Sequence, residues 1–176
     1  VIDSDVRITP PWLVEAVRKF VGDRLLRDVC TEDDNPVKAD LFFTFDSDGL
    51  NQRWHELESG TNWCNCPYSR GQVKLWASKC ISEAVLGAEI LLLTLADVRT
   101  AWYRQLRLNA DARCHIGRSV GFLEPDGQGG YRQLPGHTMG HAVWYWGQRR
   151  RRFESVFSRI GEVIHGLGPQ ETEAAE

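Results

Sequence analysis

"QVKLWASKCISEAVLGAEILLLTLAD", residues 72 to 97, joins two different periodicities end to end. In its first half Val73, Trp76, Ala77, Cys80, Ile81, Ala84 and Val85 keep the alternating short spacing that lines one face of a helix, and Gly87 supplies the stop. In its second half "AEILLLTLAD" is apolar without alternation and of strand length. Such a run belongs in a sheet covered on both faces. Just upstream, "GTNWCNCPYS" reads as a short strand followed by a turn. Strand, helix and buried strand in succession predict a mostly parallel sheet with right-handed crossovers.

The flanking segments extend the same pattern. "TPPWLVEAVRKF" opens with Thr9 as an N-cap and proline in the first turn, and Trp12, Leu13, Ala16, Val17 and Phe20 mark one helical face. "RLLRDVC" predicts a strand ending at Asp28 to Cys30, before a polar loop, "TEDDNP". "ADLFFTFDSDGL" predicts a second apolar strand that runs into an acidic turn at Asp46 to Gly49. "VRTAWYRQL" is expected to be helical. Two late strands are expected in "CHIGRSVGFLEPDGQGGYRQL" and "TMGHAVWYWG", around a glycine-rich loop. "QRRRRFESVFSRIGEVIHGL" reads as a basic helix whose Arg149 to Arg152 run forms a solvated face. One α/β domain is expected over residues 1–168, with a disordered acidic tail over 169–176.

Composition narrows the function classes. With 176 residues and 42% hydrophobic content there is room for one sizeable core and no second full domain. The 21 basic and 24 acidic residues leave a net charge of −3, which is not the footprint of a protein that grips nucleic acid by total charge. Local patches still steer binding, because the field over one face decides it. The five cysteines are odd in number and irregularly spaced, and no secretory signal precedes them, although the chain opens on Val1. The expectation is an intracellular, cytoplasmic protein with reduced thiols. No apolar run approaches the roughly 20 residues needed to cross a bilayer, so no membrane partner is expected.

Chemistry concentrates in "NWCNCPYSRG", residues 62 to 71. The polar turns after Cys30, at Asp48 and at Asn65 all follow strands, at the end of the sheet where α/β folds bind ligands. Asn65-Cys66-Pro67-Tyr68 suits an exocyclic amine of adenine, a poor nucleophile whose lone pair is delocalised into the ring. Two acceptors aimed at its hydrogens draw the nitrogen toward tetrahedral geometry; the Asn65 side-chain oxygen supplies one and a backbone carbonyl of the turn the other. Tyr68 offers a face for base stacking, worth about 1–3 kcal/mol in nucleic-acid sites. No general base is needed before attack on an electrophile such as a sulfonium. A competing reading takes Cys64, Cys66, Cys114 and His115 as zinc ligands, since Cys-x-Cys on a strand points both sulfurs one way. Alternation instead packs Cys64 as a small apolar residue. His137 and His141 read as loop and strand residues, and Trp63 and Trp102 as the tryptophans to inspect near the pocket.

The pieces "TPPWL", "RDVC", "DSDGLNQRW", "NCPYS", "ILLLTLADVRTAW" and "GRSVGF" occur in the order found in the Dam-like DNA N6-adenine methyltransferases of phages and prophages, and the chain resembles that family over roughly residues 8 to 147. The resemblance implies a Rossmann-like methyltransferase fold, a mostly parallel sheet flanked by helices with a late antiparallel strand pair, and S-adenosylmethionine as methyl donor. It implies double-stranded DNA as partner, with the target adenine flipped out, and modification of phage DNA against host restriction as the role. By position it places Thr9 and Pro10 near the methionine portion of the cofactor, Asp28 and Cys30 at the end of the first cofactor strand, and Asp48, Gly49 and Leu50 at the cofactor's adenine. Asn65, Cys66, Pro67 and Tyr68 would hold the target base, with Asn65 also facing the cofactor. Tyr68, Ser69, Arg70, Lys74 and Arg118 would face DNA, and no metal is implied. Loops such as 123–140 would read sequence.

Two departures stand out. The family has proline where Cys66 stands; the carbonyl is kept but the fixed φ is lost, with partial compensation from Pro67, which drives its predecessor into extended backbone. The loop "DVCTEDDNP" holds no glycine, so any cofactor contact there comes from a less tightly turned backbone. Other readings remain open: an RNA adenine or a protein glutamine as the methylated amine, a nucleic-acid- or cofactor-binding protein weakened in catalysis, and a small zinc-stabilised module. Oligomeric state and recognition sequence are not encoded in any of these motifs.

Overall fold

The computed structural model describes residues 7–56, 59–69, 71–134 and 139–166. In chain order the elements are α1 (Pro11–Val21), β1 (Leu25–Asp28), β2 (Leu41–Phe42), β3 (Gly60–Asn65), α2 (Gln72–Val85), β4 (Glu89–Leu95), α3 (Ala101–Asn109), β5 (Ala112–Ile116), β6 (Leu123–Pro125), β7 (Tyr131–Gln133), β8 (His141–Trp146), α4 (Arg150–Phe157) and β9 (Gly161–His165). Seven strands form one sheet in the order β2-β1-β3-β4-β8-β5-β9. The first four are parallel, while β8 runs antiparallel to both β4 and β5, and β9 antiparallel to β5. This is the expected α/β sheet with its late antiparallel strands.

The continuous apolar run of β4 has a direct cause. Ile90, Leu91, Leu92 and Leu93 are fully buried because both faces of the strand are covered. Leu91 and Leu93 belong to the core cluster that holds Phe20 of α1 and Phe153 of α4, whereas Ile90 and Leu92 belong to the one that holds Trp76 of α2 and Tyr103 of α3. Cutting one of these leucines back to alanine costs about 2–5 kcal/mol in a core of this kind. On α2 the predicted face is buried at Val73, Trp76, Ala77 and Cys80, but the last turn departs from it. There Val85 is exposed and Glu83 turns inward, where Lys79 Nζ donates to Glu83 Oε1 at 2.6 Å and His55 Nδ1 meets Oε2 at 2.7 Å. Among the described residues no helix is long and apolar enough to cross a membrane.

Four sequence expectations need correction. Thr9 does not cap α1: Pro10 is the N-cap, with no side-chain cap bond, because the Thr9 hydroxyl is engaged elsewhere. The second strand shrinks to Leu41–Phe42, an exposed edge; beyond it the chain folds down so that Gly49 lies against the Val29 carbonyl, where an added Cβ would stand 2.0 Å away. The stretch from Cys114 to Gly147 holds more than two strands, since "LEP" and "YRQ" form a separate β6–β7 ribbon tied to the N-terminal segment by the Ile8–Leu123 bridge. The basic helix ends at Phe157, and the residues after it form β9. Gly161 permits this pairing, as a Cβ there would fall 2.1 Å from the His115 carbonyl.

The arginine run is a solvated face only in part: Arg151 and Arg152 are exposed, whereas Arg149 and Arg150 are half-buried. Arg149 Nε donates to Glu89 Oε1 at 2.9 Å, its Nη2 to Thr61 Oγ1 at 2.9 Å, and its Nη1 to the carbonyls of Phe20 and Val21 at 3.1 and 3.2 Å. Arg152 donates to the carbonyls of Phe20 and Lys19, and Arg150 to Asp111. Two arginines thus cap the C-terminus of α1, satisfying orphan carbonyls at the negative end of its dipole. Glu89, the buried acid in this clamp, begins β4, so the clamp sits at the end of the sheet opposite the Asn65 turn. The acidic tail lies outside the described residues.

Candidate active site

From β1 the chain passes to β2 on one side and then to β3 on the other, which makes the β1–β3 junction the switch point of the sheet. Such a junction opens a crevice beyond the carboxyl ends of the strands. A cavity of about 780 Å³ occupies it, and its walls include Thr9, Asp28, Cys30, Asp48, Gly49, Leu50, Asn65 and Pro67. Eight positions read from four separate stretches of sequence thus meet in one space. Sequence reading missed Arg7, Glu32, Phe45, Gln72 and Trp76, which also line it. Trp76 was legible only as a core residue of α2; its indole stacks on Trp54 with centroids 6.3 Å apart.

Each wall has a local cause. Asp28 ends β1 almost fully buried, and its carboxyl oxygen Oδ1 accepts the Cys30 N–H at 3.2 Å. Burial pushes its pKa up to about 8, against the opposing pull of the Cys30 amide and the Thr31 hydroxyl. Burial also raises the Cys30 thiol well above its ordinary value, helped by the neighbouring Cys66, Asp28 and Glu32. Asp48 takes left-handed backbone at φ 47°, and Asn51 Nδ2 donates to its carboxylate at 2.6 Å. Packing of Gly49 on the Val29 carbonyl fixes that loop at the cavity wall.

Asn65 is the last residue of β3, and its side chain is pinned from one side. Its Nδ2 donates to the Arg7 carbonyl and to Thr9 Oγ1, the latter at 3.2 Å. That leaves Oδ1 as the outward atom, where the Tyr68 hydroxyl donates to it at 3.4 Å. Tyr68 is half-buried, with Phe122 edge-on at 5.7 Å and His141 tilted at 6.1 Å between ring centroids. Burial, with Cys66 and Cys64 nearby, raises its phenol pKa, while the positive charge of Arg7 pulls it back. The Cys66 side chain is buried among apolar residues with Cys64 and Cys80, away from the cavity lining. Among the described residues its carbonyl accepts no backbone hydrogen bond.

Other expected positions fall at varying distances from this space. Pro10 is buried behind Thr9, Ser69 and Lys74 are exposed just past the turn, and Arg70 lies outside the described residues. Arg118 is exposed after β5, its guanidinium stacked over the Trp12 ring at 4.5 Å. Trp63 is a core residue and Trp102 packs half-buried under α3's side of the sheet; neither lines the cavity. Cys64 and Cys66 share one core cluster while Cys114 belongs to the other, so the four suggested zinc ligands do not converge. His115 Nε2 meets the Tyr103 hydroxyl at 2.9 Å, and His137 lies outside the described residues.

A mostly parallel sheet with antiparallel strands late in its order, and a ligand-sized cavity beside an Asn-x-Pro-Tyr turn at its switch point, define a Rossmann-like methyltransferase fold. The family model for DNA N-6-adenine-methyltransferase (Dam) matches residues 2–155, and the chain belongs to this family. No curated protein and no solved structure matches the chain. Methylation of adenine N6 in DNA is the activity that the family defines.

Proposed function

We propose that the protein methylates adenine N6 in double-stranded DNA, with S-adenosylmethionine in the cavity at the β1–β3 junction. One observation carries the reading most: Asn65 is held through Nδ2, so its Oδ1 is presented as an acceptor on the side away from the N-terminal segment. The Cys66 carbonyl follows it in the turn and is the second acceptor. An exocyclic NH2 placed between these oxygens directs both hydrogens at the protein and its lone pair elsewhere. Preorganised acceptors of this kind act without reorganising during the reaction.

The residues of the cavity fit the cofactor. Its volume of about 780 Å³ lies in the range of small-molecule sites. Carboxylates of Glu32, Asp46 and Asp48 on its walls favour a cation, and Phe45 and Trp76 give it aromatic surface. When bound, the cofactor supplies an electrophilic methyl group on a sulfonium. Thr9 supports Asn65 from behind, while Asp48 to Leu50 bound the adenosine end.

Adenine reaches this turn only out of the stack, at a cost of a few kcal/mol. Tyr68, backed by Phe122 and His141, gives the extruded base a rigid ring to lie against. Ser69 and Lys74, exposed just past the turn, are the contacts for the flanking backbone, with Arg70 added from its place in the sequence and Arg118 from the family resemblance, and phage or prophage DNA modification is the role the sequence resemblance suggests. The test is transfer of a tritiated methyl group to pools of duplex DNA, RNA and protein. Label in DNA supports the reading; label in RNA or protein alone replaces it, and cofactor binding without transfer marks a binding protein.

A further inference from the structure

Arg7 brings a positive charge into a cavity whose other charged walls are acidic. Its Nε is removed from solvent and has no hydrogen-bond partner among the described residues. A positive charge held in so shielded a place is costly unless an anion meets the outer end of the guanidinium. Arg7 is also fixed relative to the chemistry: its carbonyl accepts Asn65 Nδ2, and its guanidinium lies close enough to act on the Tyr68 phenol. The fork of donors on arginine matches a carboxylate or phosphate in two-point contact.

We propose that Arg7 anchors the carboxylate at the amino-acid end of the cofactor. The inference rests on the proposed function and adds to it the residue that selects a zwitterionic ligand. In the cofactor that carboxylate stands a few bonds from the sulfonium. With the methyl group turned toward Asn65, it falls beside the neighbouring wall, where Arg7 sits. A phosphate of the target strand is the other anion within the chemistry of this group. It is disfavoured because Arg7 is a half-buried wall of the cavity, whereas a duplex backbone passes outside it.

Calorimetry on the full chain separates these cases, using S-adenosylhomocysteine and 5′-methylthioadenosine, which lacks the amino-acid end. Arg7→Gln is expected to weaken S-adenosylhomocysteine about ten- to a hundredfold and to leave methylthioadenosine within about twofold. Arg7→Lys should fall between, since it keeps the charge without the fork. Equal weakening of both ligands, or of neither, overturns the proposal; thermal unfolding of each variant shows whether an equal loss comes from misfolding. Unchanged S-adenosylhomocysteine binding with weaker, less salt-sensitive DNA binding assigns Arg7 to phosphate and also overturns it. If the wild-type protein binds neither adenosine compound, the cofactor reading fails and this inference with it. Failure of the Arg7 variants alone leaves that reading standing.

Discussion

Thr9 Oγ1 accepts the side-chain amide of Asn65 at 3.2 Å, although 56 positions separate the two residues in the chain. The contact joins the segment before α1 to the end of β3, and it turns a short polar residue that sequence suggests as a helix cap into a support for the turn.

Thr9→Val keeps the shape of the side chain and removes the acceptor. Turnover should fall about three- to tenfold, the equivalent of one hydrogen bond, with cofactor affinity nearly constant and Thr9→Ser close to wild type. Single-turnover kinetics checks this. An unchanged rate, or an equal loss in Thr9→Ser, would remove Thr9 from the support of Asn65.

Asp28 gives the apo protein a pH signature. Its carboxyl is raised to about 8 in the fold, above its ordinary value of 3.8, because burial disfavours the charged form. The protonated group therefore stabilises the fold fully below about pH 4, and that contribution is lost as pH rises toward 8. Thermal unfolding of wild type against Asp28→Asn should show the gap between them change across this window and level off above it. A constant gap from pH 4 to 8 would contradict the buried, neutral carboxyl. A cationic cofactor favours the carboxylate, so its affinity in the wild type should rise with pH through the same interval.

The sequence carried the sheet far better than its edges. Runs buried on both faces, such as Ile90 to Leu93, announce themselves, and so does the apolar face of α2 from Val73 to Cys80. β2 did not, because Leu41 and Phe42 form an exposed edge whose extent is set by the loop that Gly49 anchors on Val29. β9 was hidden inside an apparent helix, since its identity depends on Gly161 fitting beside His115, a contact between distant segments. At the candidate site, Asn65, Asp28 and Asp48 were visible as polar residues after strands. Arg7 and Gln72 were not, because nothing local marks a residue whose side chain is directed by contacts across the fold.

Arg149 separates structural charge from DNA-facing charge. Its bonds to Glu89, Thr61 and the end of α1 tie α4 to the sheet at the end away from the cavity. Removing one partner of such a pair typically costs about 3–5 kcal/mol. Because the Arg149 side chain is 22% exposed, the expected loss for Arg149→Ala in urea unfolding is nearer ~2 kcal/mol. The salt dependence of DNA binding should stay as in the wild type. A stable variant with a flatter salt dependence would return the arginine run to the nucleic-acid surface.

Cys66→Pro restores the residue that the family resemblance leads one to expect in the turn. The carbonyl stays, the backbone loses freedom and the buried thiol is removed from the cluster with Cys64 and Cys80. Turnover should be preserved or raised. A folded but inactive Cys66→Pro protein would show that the thiol itself matters.

The most direct measurement is mass spectrometry of nucleosides from duplex DNA incubated with the protein and S-adenosylmethionine. N6-methyladenine should accumulate with the wild type and fall by about a hundredfold with Asn65→Ala, whose affinity for S-adenosylhomocysteine should remain nearly unchanged. DNA free of N6-methyladenine, or equal methylation by Asn65→Ala, would contradict the account.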